Sequence, residues 1–164
     1  MDQARERTLL TLLAENAKVS PASLAAMLDE SEDAIVEAID HLEKSGVIRG
    51  YAAIVNWDRV ERDQVTAMIE VKVTPQRSVG FDAVARRIER FPEVEAVTLV
   101  SGTYDLEVIV SGPRIQEVAR FVAERLATIE GVESTTTHFI LKRYKVDGVI
   151  LDDPEDDGRL VVSP

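Results

Sequence analysis

Residues 84–97, VARRIERFPEVEAV, echo residues 118–135, VARFVAERLATIEGVEST. In each copy an apolar helical stripe runs into a strand, so the repeated unit is one supersecondary element used twice. Before the first copy, QVTAMIEVKVT alternates as a strand, with Ala67, Ile69, Val71 and Val73 on one face. Phe81, Val84, Ala85, Ile88 and Phe91 then mark a helix, and VEAVTLVS a second strand. YDLEVIVS opens the second half, with Tyr104, Leu106, Val108 and Val110 alternating. Ile115, Val118, Ala119, Val122, Leu126 and Ile129 form the second helical stripe, and VESTTTHFILKRYKV closes as a strand. The order βαββαβ predicts an α+β, ferredoxin-like domain over 64–146, an antiparallel sheet with both helices on one face.

Two helices cover only one face of such a sheet. The other face still carries Met68 and Ile109 among polar residues such as Glu70 and Lys72. A partly apolar open face calls for a partner, most simply a second copy of the same sheet. The alternative is a solvated sheet with scattered apolar residues.

Residues 1–55 read differently. Leu9, Leu10, Leu12 and Leu13 mark an amphipathic helix ending near Asn16. Ser20-Pro21 is a helix start, serine capping the free amides and proline suiting the first helical position. A short helix through Leu24, Ala25 and Leu28 is interrupted at Asp29 and Glu30. Ser31 is a second N-cap, and Ile35, Ala38, Ile39 and Leu42 share one face of the helix it opens. Gly46 stops that helix, and VIRGYAAIV, Val47 to Val55, is expected as a strand. A short helix, a turn and a longer helix leading into a strand is the winged helix-turn-helix pattern, other three-helix stacks being the alternative. NWDRVERD, 56–63, is a polar linker; 147–164 is an acidic tail in which RLVV has strand propensity.

Net charge is −11, but the excess acid lies at the two ends. Residues 1–50 hold 5 basic and 10 acidic side chains, 51–146 hold 13 and 14, and 147–164 hold 1 and 6. Nothing in this distribution supplies a general grip on phosphates. The absence of cysteine excludes disulfides, thiolate metal sites and cysteine nucleophiles. The charged N-terminus and the lack of a long apolar run point to a cytoplasmic chain with no membrane partner. His41 and His138 share no metal-ligand spacing, and no phosphate-cradling glycine loop is present, so no catalytic residue, metal or cofactor is assigned. Trp57 reads as an anchor against the sheet or a neighbour.

Four pieces stand in order: LLTLLAENAKVSPASLAAMLDES, LEKSGVIRGYAAIVN, FPEVEAV and VSGTYDLEVIV. Together they resemble the Lrp/AsnC (feast/famine) transcriptional regulators over about residues 3–146, with the last matching that family's glycine-x-tyrosine-aspartate loop. The resemblance implies a winged helix-turn-helix followed by a ligand-sensing, oligomer-forming domain of the RAM type. It also implies dimers, often assembled into octamers, that bind promoters and respond to amino acids. Some relatives of this fold are sirohaem decarboxylases whose winged helix does not bind DNA, which leaves an enzyme as an open alternative. A second is an assembly module without DNA binding.

The departure lies in the third helix. The family usually shows arginines there, whereas the exposed face here is Glu32, Asp33, Val36, Glu37, Asp40 and His41. Acidic side chains can accept from cytosine N4 but repel flanking phosphates. Glu32 and Asp33 sit in the first turn, where carboxylates favour the helix dipole; Glu37 and Asp40 do not. The candidate DNA surface is that face with Ser31, Arg5, Lys18, Lys44 and Arg49. The candidate effector site is Gly102, Thr103, Tyr104 and Asp105, completed by Thr135 and Thr137 across a dimer interface. Asp105 would take the ammonium of an amino acid, and the glycine loop would offer N–H donors to its carboxylate. The alternative for Gly102 is the need of a tight hairpin turn.

Overall fold

A computed structural model describes residues 2–60, 64–74 and 80–151. The chain divides between Ala53 and Ile54 into two compact units.

The first unit holds three helices, α1 (Gln3–Glu15), α2 (Pro21–Leu28) and α3 (Glu32–Lys44). Each starts on a side-chain cap: Asp2 accepts from Arg5 N, Ser20 from Ser23 N and Ser31 from Ala34 N. Such caps are worth about 1 kcal/mol each. Asp29 closes α2 in the left-handed region at φ 53°, a conformation aspartate tolerates better than most residues. Gly46, at φ 75°, follows α3. Leu9, Leu24, Ile35 and Leu42 are fully buried in a core shared by all three helices, with Ala38 and Ile39 half-covered beside them. Burial of each such leucine or isoleucine contributes about 1.5–3 kcal/mol.

The expected wing strand does not form. Residues 47–55 are irregular and pair with no strand among the described residues. A strand exists only against a hydrogen-bonding neighbour, and the described residues of this unit include no strand to supply one. The segment is held to α3 instead. Ile48 N donates to Leu42 O at 3.0 Å, and the Tyr51 hydroxyl donates to Glu43 Oε1 at 2.7 Å.

The second unit begins with a turn of 3₁₀-helix, Trp57–Arg59, inside the stretch expected as linker. Asn56 caps it and also donates through Nδ2 to Leu151 O at 2.6 Å. Then come β1 (Val65–Val73), α4 (Phe81–Ile88), β2 (Val94–Leu99), β3 (Leu106–Gly112), α5 (Ile115–Phe121) continued by a π-helical turn (Val122–Leu126), and β4 (Val132–Phe139). The sheet order is β2-β3-β1-β4, antiparallel throughout. Ala67, Ile69, Val71, Leu106, Val108 and Val110 are fully buried against Val84, Ile88, Phe121 and Leu126 from the helices. This is the βαββαβ order that the repeat predicts.

Three details differ from the sequence reading. Tyr104 lies before β3 rather than in its alternation. On the second helix Ile115 and Ala119 are exposed while Phe121 is buried, because the inward stripe runs Val118, Phe121, Val122, Leu126, and Ile115 sits at the open first turn. The last strand stops at Phe139. Residues 145–150 form a separate hairpin, β5 (Lys145–Val146) against β6 (Val149–Ile150). Its turn is Asp147-Gly148, at φ 45° and 83°, the two-residue geometry that an Asp-Gly pair favours. The ordered domain therefore runs past 146. The acidic run 152–157 and RLVV lie outside the described residues.

The open face carries Met68, opposite Ile109 on β3 and His138 on β4. Beside them Glu70 faces Glu107 on one side and Thr136 on the other. His138 Nε2 lies 3.3 Å from Glu70 Oε1. Leu141, Tyr144 and Ile150 are among the most exposed large apolar residues of the unit.

Candidate functional site

On α3 the residues Glu32, Asp33, Val36, Glu37, Asp40, His41 and Lys44 are all exposed. Ser31 is committed to the cap, its Oγ accepting Ala34 N at 3.2 Å. Asp40 has a local partner that the sequence reading did not assign: Lys44 Nζ lies 2.6 Å from its Oδ2, one turn on. Arg5 is drawn to Glu30 at 2.6 Å, which raises its already high pKa through the hydrogen bond and the charge of that carboxylate. Lys18 and Arg49 are exposed. With Glu32 and Asp33 stabilised by the helix N-terminus and Asp40 paired with Lys44, Glu37 is the carboxylate on this face that no local interaction among the described residues explains. The acidic character of the helix is therefore weaker than its letters suggest.

In the second unit, residues 100–105 join β2 to β3. Val100 N donates to Asp105 O at 2.9 Å and closes the loop. Asp105 is bound to the neighbouring strand twice: its N–H donates to Val71 O at 3.1 Å, and its Oδ2 accepts Val73 N at 2.8 Å. Lys72 Nζ donates to Thr103 O at 3.0 Å. Gly102 is exposed, its φ lies outside the left-handed region, and a Cβ built on it would meet nothing within 4 Å among the described residues. The turn itself does not need a glycine there.

Thr135 and Thr137 stand opposite Val71 and Ile69, so they belong to the helix-covered face, while Thr136 lies on the open face with Glu70. Period-two alternation decides this, and the sequence run TTT could not show which hydroxyl points where. Asp105 and Thr135 flank β1 at the same level from its two sides, roughly 10 Å apart in backbone. One chain does not bring the loop and these threonines to a common point.

Tyr104 marks a feature that the sequence reading missed. Its hydroxyl reaches Glu107 Oε2 at 3.5 Å. Burial first, then the negative charges of Glu107 and Glu70, push this phenol above the ordinary tyrosine pKa. Glu70 and Glu107 face each other across β1 and β3 beside this phenol, a like-charge pair that is unfavourable unless its charge is offset. Strand alternation alone would have put Glu70 and Glu107 on one face. Among the described residues, no three His, Asp or Glu side chains lie together as metal ligands, and no helix is long and apolar enough to cross a membrane.

Residues 66–150 match the family of the Lrp/AsnC ligand binding domain. The chain is 49% identical over 161 residues to the uncharacterized HTH-type transcriptional regulator YugG of Bacillus subtilis, covering 98% of this chain and 97% of that protein. The chain belongs to the Lrp/AsnC family. It is an HTH-type transcriptional regulator whose second unit is the family's ligand-binding domain. It is also 29% identical over 136 residues to the HTH-type transcriptional regulator LysM of Saccharolobus solfataricus, covering 83% and 91% of the two chains. Among solved structures this Lrp/AsnC chain is similar in fold to Escherichia coli AsnC, with TM-score 0.64 at 20% identity over 89% and 96% of the two chains. It is similar as well to the Neisseria meningitidis regulator NMB0573, solved as a complex with L-Met, with TM-score 0.67 at 23% identity over 89% and 93%.

Proposed function

We propose that this Lrp/AsnC regulator responds to an amino acid bound where the 100–105 loops of separate copies meet, in a homodimer or a larger assembly of dimers. The observation that carries this reading is Gly102. It is glycine, yet neither its own backbone nor any neighbouring atom of the described residues requires one. A residue without a side chain at an exposed loop tip suits close approach by something outside the subunit. The ligand's ammonium would go to Asp105, whose carboxylate is held in place by Val73 N–H, or to the Glu70–Glu107 pair beside Tyr104. Its carboxylate would go to loop amides. Thr135 and Thr137, which face away from the loop's open side within one chain, would serve only from a neighbouring copy. The L-Met complex of the Neisseria relative fits a ligand of this class.

The open sheet face, centred on Met68 and Ile109, is the dimer surface in this reading, and the protein works in the cytoplasm as a regulator rather than as an enzyme. On DNA, α3 lies in the major groove with Glu37 over base edges, where a carboxylate accepts from cytosine N4. Lys18, Lys44 and Arg49 meet the backbone, and several copies share the binding because linked sites gain effective concentration. A thermal-shift screen of the twenty amino acids tests the effector assignment. At least one should stabilise the protein, and Gly102→Val should abolish that response with the fold intact. A wild type indifferent to all twenty would exclude an amino acid effector.

A further inference from the structure

The outer surface of α3 has an unusual chemistry for a helix that meets DNA. In its first two turns Glu32, Asp33, Val36 and Glu37 are exposed, while Ile35 is buried and Ala34, Ala38 and Ile39 are half-covered. Three of the four exposed side chains are carboxylates, which when ionised only accept hydrogen bonds, and the fourth is a hydrocarbon. From Glu32 to Asp40 the sequence holds no side-chain donor. The donors of the helix come in its last turn, at His41 and Lys44, and Lys44 Nζ is engaged by Asp40 Oδ2 at 2.6 Å. Ser31, just ahead of the helix, is held as the cap, its Oγ accepting Ala34 N at 3.2 Å.

A helix-turn-helix protein brings the N-terminal residues of this helix to the base edges. In the major groove guanine presents two acceptors, O6 and N7, which call for donors that these turns lack. Cytosine presents an amino group, adenine an amino group beside N7, and thymine a carbonyl and the C5-methyl. The first two turns can therefore complement an amino group or a methyl group. Val36 is the residue suited to the methyl. It is 49% exposed on a face that is otherwise charged. A β-branched side chain lowers helix propensity, and at this exposure it gains little burial, so neither helix formation nor packing calls for valine here. Branching also leaves one strongly preferred rotamer in a helix, so the methyl groups are fixed before DNA arrives. Asp40, one turn on in the same row, has its charge offset by Lys44.

We infer that Val36 is a specificity-determining residue of this regulator, its methyl groups packing on the C5-methyl of a thymine in the major groove. Glu37 lies roughly 100° further round the helix and meets a neighbouring base, so the two residues read separate positions. The inference rests on the placement of α3 in the major groove proposed above, and adds to it the base that an apolar side chain selects. Cytosine at the same position lacks the methyl and would turn its amino group towards a hydrocarbon, which leaves that donor without a partner. Guanine and adenine present no methyl to Val36.

Deoxyuridine differs from thymidine by the C5-methyl alone, which isolates this contact. The probe is the duplex that the full-length wild type enriches most from a random pool, made once with thymidine and once with deoxyuridine throughout. In anisotropy titrations at low salt the wild type should bind the uracil duplex about fourfold more weakly or worse, roughly the value of burying one methyl group. Val36→Ala should bind the thymine duplex more weakly than the wild type does and should no longer distinguish the two. Any altered flexibility of the uracil duplex acts on both proteins and drops out of the comparison. Should Val36→Ala fold poorly, the wild type decides by methyl NMR of its complex, in which the Val36 methyls must show a nuclear Overhauser effect to a thymine C5-methyl. A wild type that binds both duplexes equally, a Val36→Ala protein that keeps the wild-type preference, or a complex without that effect overturns the inference and leaves α3 in the groove. A wild type that enriches no duplex and binds none at low salt removes the placement of α3 itself, and the inference with it.

Discussion

Asp105 Oδ2 accepts the backbone N–H of Val73 at 2.8 Å, and the Asp105 N–H donates to Val71 O at 3.1 Å. One residue thereby ties the β2–β3 loop to β1 with both its backbone and its side chain. The carboxylate is oriented before any ligand arrives, which lowers the ordering cost of binding.

This double role separates two substitutions. Asp105→Ala leaves the Val73 N–H, at a nearly buried residue, without its acceptor, and should cost about 1–3 kcal/mol in chemical denaturation. Asp105→Asn keeps an acceptor oxygen and should cost less than about 1 kcal/mol, yet lose the amino-acid response with the charge. An Asn variant that still responds would move the ammonium site to Glu70 and Glu107.

The open face gives a test of assembly. Met68 and Ile109 face each other at its centre, and a charge placed there would be buried unpaired on dimerisation. The full chain should be a dimer or larger by light scattering at micromolar concentration. Ile109→Glu should reduce it to a monomer while the circular dichroism spectrum is kept. A wild type already monomeric under these conditions would show that the face is simply solvated.

Tyr51 reports on the segment that follows α3. Its phenol pKa is raised, first by the hydrogen bond to Glu43, then by burial and the charge of that carboxylate. The folded state holds this proton more tightly than the unfolded chain does. The stabilisation is therefore complete below the ordinary tyrosine pKa of about 10 and is lost as pH rises through the higher folded value. In an absorbance titration of the three tyrosines, Glu43→Gln should bring one of them down towards its ordinary range. Tyr104, raised by burial and by Glu107 and Glu70, should not move. If no tyrosine shifts in Glu43→Gln, residues 47–55 are not docked on α3 through Tyr51.

The fold was legible wherever one chain satisfies itself. Alternation in β1 and β3 marked Ile69, Val71, Leu106 and Val108 as core, and Ser20 and Ser31 marked helix starts, because both signals depend on near neighbours in sequence. The wing was not legible, because VIRGYAAIV has strand composition but its unit holds no partner strand. The Asp147-Gly148 hairpin was available from its dipeptide and was obscured by the acidic run after it. The run TTT does not carry the register of β4 on β1, which places Thr135 and Thr137 on the helix-covered face. The pairing of Asp40 with Lys44 was readable from their spacing of four, and it removes half of the difficulty that the acidic helix had raised.

That pairing sharpens the expectation for α3. Glu37→Gln should tighten non-specific DNA binding by up to about 1 kcal/mol at low ionic strength, with the gain fading as salt rises. Asp40→Asn should do less, because the lost carboxylate already carried a lysine. If Glu37 reads a cytosine, the same Gln variant should lose specific affinity while its non-specific affinity rises.

Fluorescence anisotropy on the DNA upstream of the protein's own gene, over a salt series with and without the amino acid selected by thermal shift, tests ligand-responsive DNA binding most directly. The expected result is binding whose log affinity falls linearly with log salt. The amino acid should change it in the wild type and leave it unchanged in Asp105→Asn. No binding to this DNA even at the lowest salt, with or without any of the twenty amino acids, would contradict a DNA-reading α3 and favour an assembly module that keeps the scaffold alone.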